Sequence, residues 1–89
     1  MSTPLDRFRL LIQLENVKMP WLEAQTGIDR KRWANLKHEK AEIRAIEFQA
    51  LSLVWPEYTI WLTNGSEIPE AGQISPLTKQ IHKNYKTAD

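Results

Sequence analysis

Proline and glycine punctuation limits this chain more than any other feature. Thr3-Pro4, Lys18-Met19-Pro20 and Pro56-Glu57 each set a proline where a helix can begin. Gly27 and Asn64-Gly65 set residues that accept positive φ where one can end. Between these marks the apolar residues recur at helical spacing, and no strand alternation is present, so residues 4 to 64 read as five short helices. The first has Thr3 as cap and Asp6 in its first turn, carries Leu5, Phe8, Leu11, Ile12 and Leu14, and stops at a left-handed Asn16; Arg7 and Arg9 are expected to face solvent or phosphate. The second runs to Gly27. Asp29 caps a third through His38, and a charged connection, Glu39 to Glu42, follows.

From Ile43 to Trp55 the apolar residues Ile46, Phe48, Ala50, Leu51, Leu53 and Val54 fill more than one stripe, so the fourth helix is central or shared. The fifth carries Tyr58, Ile60, Trp61 and Leu62 up to Gly65. Ser66 to Pro76 reads as a loop, and Leu77 to Lys86 has the pattern of a last, weak amphipathic helix. The expected organisation is an all-α domain over residues 1–65 and a linker with C-terminal tail over 66–89. Eighty-nine residues suffice for one core and not two.

Composition excludes several functions. With no cysteine there is no disulfide framework, thiolate nucleophile or cysteine-held metal. His38 and His82 lie in separate segments and outside any metal-ligand spacing, so neither a catalytic site, nor a metal, nor a cofactor is expected. The N-terminus lacks the features of a signal peptide and no apolar run is long enough for a membrane span, which points to a cytoplasmic protein. The net charge is only +1, but it is segregated: Gly27 to Arg44 holds six Lys or Arg against three acids, and Ala45 to Pro76 holds four Glu and no Lys or Arg. One face can therefore meet an anionic partner while the rest stays neutral or acidic.

The pair of short helical patterns around Gly27 has the layout of a helix-turn-helix. At 100° per residue from Arg30, the residues Arg30, Lys31, Ala34, Asn35 and His38 fall in one arc of about 140°, with Trp33 and Leu36 opposite. Arg and Lys can donate to guanine O6 and N7 and Asn can pair with adenine N6 and N7, so Arg30, Lys31 and Asn35 are the expected base contacts in double-stranded DNA. Arg32 lies at the arc's edge; it and Lys18, Lys37, His38, Lys40 and Arg44 are the expected backbone contacts, which position without specifying. Trp33, Trp55 and Trp61 suit a core or a subunit contact better than a base-stacking platform.

The order Val17-Lys18-Met19-Pro20-Trp21-Leu22, then Thr26-Gly27-Ile28-Asp29-Arg30-Lys31-Arg32-Trp33, resembles the lambda-repressor-like class of Cro and xenobiotic-response-element-type regulators. Leu36 and the stretch Tyr58 to Gly65 continue the likeness, which spans roughly residues 5 to 65. The resemblance implies a five-helix fold and a homodimer on a pseudo-palindromic operator, with base contacts from Arg30, Lys31 and Asn35. Two positions depart from it. Glu23 stands where the class has a small Ala, so its stem must bend outward or the helices cross more widely, and Met19 stands where a Gln often touches DNA. The apolar surplus of Trp61, Leu77, Ile81 and Tyr85 fits a dimer contact. The competing expectation is a protein-binding adaptor or antitoxin-like partner built on the same helices.

Overall fold

Thr3 starts the fold. Its hydroxyl accepts the Asp6 N–H while the Asp6 carboxylate accepts the Thr3 N–H, a reciprocal cap over α1 (Pro4–Leu14), and Asn16 leaves the helix at a positive φ of 54°. The computed structural model describes residues 2–88, with side chains through 83, and every regular element among them is helical. After α1 come α2 (Met19–Thr26), α3 (Arg30–Lys37), α4 (Ala45–Val54), a 3-10 turn at Pro56–Tyr58 leading into α5 (Thr59–Asn64), a second 3-10 turn at Pro69–Ala71, and α6 (Pro76–Ala88). The sequence expectation of a five-helix domain with a tail patterned as a last helix over Leu77 to Lys86 thus becomes six helices, the tail forming α6. The fourth helix also starts two residues later than its apolar pattern begins, because Arg44 is extended and its N–H is taken by the Glu47 carboxylate.

The core is drawn from all of α1 to α5: Phe8, Leu11, Ile12, Leu22, Trp33, Leu36, Leu51, Trp55, Tyr58, Trp61 and Leu62. Phe8 and Trp33 stack with centroids 5.5 Å apart, which fixes the inward side of α3 against α1. Trp21, Trp55, Tyr58 and Trp61 then run ring to ring from α2 to α5. Tyr58 donates its hydroxyl to Glu15 at 2.8 Å; burial, then the neighbouring Glu15 carboxylate, pushes its ionisation far upward.

Arg7 departs from the sequence expectation. It is buried rather than solvent-facing, and it donates from Nε to the Leu62 carbonyl at 3.0 Å, from Nη2 to the Thr63 carbonyl at 3.1 Å and from Nη1 to the Ser2 carbonyl at 2.9 Å. The terminal carbonyls of α5 lack helical partners and its C-terminus carries negative partial charge, so a guanidinium completes it. Gly65 ends α5 at a φ of 83°, and a Cβ there would sit 3.3 Å from Arg7 Nη1. Arg9 is also engaged, donating to the Lys37 carbonyl at 2.8 Å and pairing with Glu39 at 3.0 Å, which ties α1 to the end of α3.

Residues 66–76 return along α5. Gln73 accepts the Ile60 N–H at 3.0 Å and donates to the Pro56 carbonyl at 3.0 Å, and the Ile74 N–H reaches the Glu57 carbonyl at 2.9 Å. Lys79 of α6 pairs with Glu57 at 2.7 Å and lies over the Tyr58 ring.

Candidate nucleic-acid interface

The turn between α2 and α3 is built around one hydroxyl. Thr26 Oγ1 donates to the Leu22 carbonyl at 2.7 Å and accepts the Ile28 N–H at 3.2 Å and the Trp33 indole N–H at 3.1 Å. Gly27 supplies the left-handed step at a φ of 74° that lets the chain reverse within so few residues. Asp29 then accepts the Lys31 N–H at 2.6 Å and starts α3. Trp33 and Leu36 are fully buried, so the inward side of α3 is fixed and the phase of every other side chain on it follows.

Glu23 resolves the question its position raises. Its stem turns outward along α3: Oε2 accepts the Arg30 N–H at 2.8 Å, and Oε1 accepts Arg30 Nε at 3.0 Å and Nη2 at 2.8 Å. The Arg30 bonds hold the Glu23 carboxyl below its ordinary range. The N-terminal N–H groups of Arg30 and Lys31 are thereby satisfied by carboxylates of the chain itself.

On the other flank stands Glu47, with no exposed surface. Arg32 meets it twice, Nε to Oε2 and Nη2 to Oε1, both at 3.0 Å, and also donates to the Glu42 carbonyl at 2.6 Å; Arg44 reaches Oε2 at 2.9 Å. Burial works against ionising Glu47, yet the hydrogen bonds from Arg32 and Arg44 outweigh it and hold the carboxyl down at about 2 from an ordinary 4.5. Arg32, expected at the phosphate edge, is therefore committed to joining α3 to α4. Arg44 shares that bond from a more exposed position.

The rest of the expected surface remains displayed. Lys31 and Asn35 are exposed on α3, as is His38 at its C-cap, and Ala34 is half-buried among them; no side-chain hydrogen bond or ion pair engages Lys31, Asn35 or His38 among the described residues. Lys18, Lys37 and His38 border one cleft of about 660 Å³ between α1 and the end of α3, with Asp6 and Arg9 on its other walls. Lys40 is exposed in the connection after α3.

Of the expected subunit contacts, Trp61 is 7% exposed and stands edge-on to Tyr58, so its ring belongs to the chain's own core. Leu77 and Ile81 are 47% and 57% exposed on α6, while the Tyr85 side chain lies outside the described residues. A surface that the sequence signalled only as a surplus stripe is now specific: Ile46 and Leu53 of α4 are exposed and line a groove of about 260 Å³ with Gln25, Thr26, Ile28, Gln49 and Ala50.

A solved structure is similar in fold: Pf6r from the filamentous phage Pf6 of Pseudomonas aeruginosa PA01, with a TM-score of 0.80 and 27% sequence identity, over 96% of this chain and 99% of that one. This chain has the Pf6r fold. No family model matches the chain and no curated protein matches it. The residues left out of the Pf6r match are fewer than α6 contains, so the likeness extends past α2 and α3 into the last helix. Among the described residues, no helix is long and apolar enough to cross a membrane.

Proposed function

We propose that this chain is a sequence-specific DNA-binding transcriptional regulator of phage or prophage type, acting without catalysis or cofactor in the cytoplasm, where its DNA would be. It would read a pseudo-palindromic operator as a homodimer with α3 in the major groove. The observation that carries this reading is the two-sidedness of α3: Trp33, Leu36 and Arg32 hold one side, while the side chains of Lys31 and Asn35 stand on the other, unpaired among the described residues, beside a small Ala34 that permits close approach. Likeness to a filamentous-phage protein over 96% of the chain supports the phage assignment. Lys18, Lys37 and Lys40 supply cations at the rim for the phosphate backbone. Exposed Leu77 and Ile81 support a two-fold contact that would set two α3 helices about 34 Å apart.

A second reading, a protein-binding adaptor or antitoxin-like partner, is favoured by the groove between α4 and the α2–α3 turn, whose Ile46 and Leu53 are uncovered. Selection from a random duplex pool at two salt concentrations separates the two. The regulator enriches one pseudo-palindrome; a pool with no enriched sequence supports the adaptor. On an enriched site Asn35→Ala costs about 1–3 kcal/mol and on random DNA far less. Equal losses on both would move Asn35 to the backbone.

A further inference from the structure

An arginine can grip a base with either of two edges, the side-on pair Nε and Nη2 or the end-on pair Nη1 and Nη2. In this chain one of them is already taken. Glu23 Oε1 receives Nε at 3.0 Å and Nη2 at 2.8 Å, while its Oε2 receives the Arg30 N–H at 2.8 Å, so the carboxylate is braced on the helix whose side chain it holds. The brace comes from α2, seven residues earlier, and the Arg30 side chain remains 56% exposed. Nη1 has no partner among the described residues.

We propose that Glu23 is a specificity-determining positioning residue, which holds the side-on edge of Arg30 so that the end-on edge is presented to a guanine. This rests on the DNA-reading role of α3. Two consequences follow from charge and geometry. A guanidinium already aligned gives up less rotational freedom when it meets O6 and N7, which sharpens the preference for guanine. A guanidinium already neutralised adds little to indiscriminate attraction by phosphates, and the Glu23 carboxylate repels a phosphate from the start of α3.

The test compares the full-length parent, Glu23→Ala, Glu23→Gln and Arg30→Ala, and the Ala double variant, on the oligonucleotide enriched by the parent and on versions with each base pair changed. Circular dichroism confirms that each variant is folded. In Glu23→Ala the discrimination at one guanine falls at least about fivefold. Affinity for random DNA rises, and the salt slope on it steepens by about 1 as a cation is released to phosphate. Glu23→Gln, which keeps an acceptor and the side chain's length, falls between Glu23→Ala and the parent. In the Arg30→Ala background, removing Glu23 leaves the base preference unchanged. Loss of preference at a base pair in that background overturns the inference, since Glu23 itself would then be the reader. Unchanged guanine discrimination and salt slope in Glu23→Ala also overturn it. A parent that enriches no sequence fails the regulator reading instead, and the outcomes are therefore distinct.

Discussion

Two glutamates flank α3, and each binds an arginine of that helix, yet they stand in opposite environments. Arg30 and Arg32 are two positions apart, about 200° around the helix, so one points outward and the other toward α4. Glu23 meets Arg30 at the surface with its side chain still 32% exposed, whereas Glu47 meets Arg32 and Arg44 with its own carboxylate wholly buried. The same pair of chemical groups thus does two different things. A buried carboxylate stripped of water depends on its arginines, and holds α3 onto α4 as a result. A partly exposed one keeps part of its hydration and contributes less to stability; in the role proposed above it acts instead on which donors α3 presents.

Deleting the buried member should break the contrast most visibly. Glu47→Ala is expected to lower unfolding stability by about 2–4 kcal/mol, read from urea denaturation, because it leaves Arg32 partly buried without a counter-charge and uncaps α4. A loss no larger than that of Glu23→Ala would make the two pairs equivalent.

Acid should find the same difference. Glu47 is held near 2 in the fold against an ordinary 4.5, so its stabilisation is complete above about pH 4.5 and drains away as pH falls toward 2. Urea midpoints measured over that window should fall steeply in the parent. In Glu47→Gln, which has no proton to gain there, the slope should be shallower; parallel curves would assign the acid sensitivity to other carboxylates.

The two arginines on Glu47 should separate next. Arg32 is shielded and makes a third bond to the Glu42 carbonyl, whereas Arg44 is mostly exposed. Arg32→Ala should cost about 1–3 kcal/mol and Arg44→Ala about 1 or less. Equal costs would show that the shielded bond confers nothing extra. The smallest effect belongs to Glu23→Gln, whose urea midpoint should stay closest to the parent's even as its base preference changes.

How much of this was legible in the sequence depends on how far apart the interacting residues are. The cap at Thr3 and Asp6, the left-handed steps at Asn16, Gly27 and Gly65, and the inward phase of Trp33 and Leu36 depend on neighbours within a turn or two, and the sequence predicts each of them. The resemblance also marks Glu23, leaving open whether its stem bends outward or the helices cross more widely, and the structure shows the stem along α3. Its partner was not visible, since that requires the angle of the crossing. Periodicity gives a side chain's direction but not what waits there. Arg32 points to the edge of the exposed arc as expected, and Glu47 is waiting fifteen residues on. Arg7 is the extreme case, with acceptors fifty-five and fifty-six residues away. Trp61 reads as a core or subunit residue, and α5 itself does not decide which; its burial depends on tertiary packing with neighbours such as Tyr58.

The Arg7 clasp also bears on the birth of the protein. On a ribosome adding about 5–20 residues per second, the carbonyls of Leu62 and Thr63 are made roughly 3–11 s after the arginine that needs them. Until they emerge, the first helix cannot sheathe its guanidinium in the fold. The clasp between the first helix and the fifth can close only after the chain that spells both has been made, some fifty-five residues later.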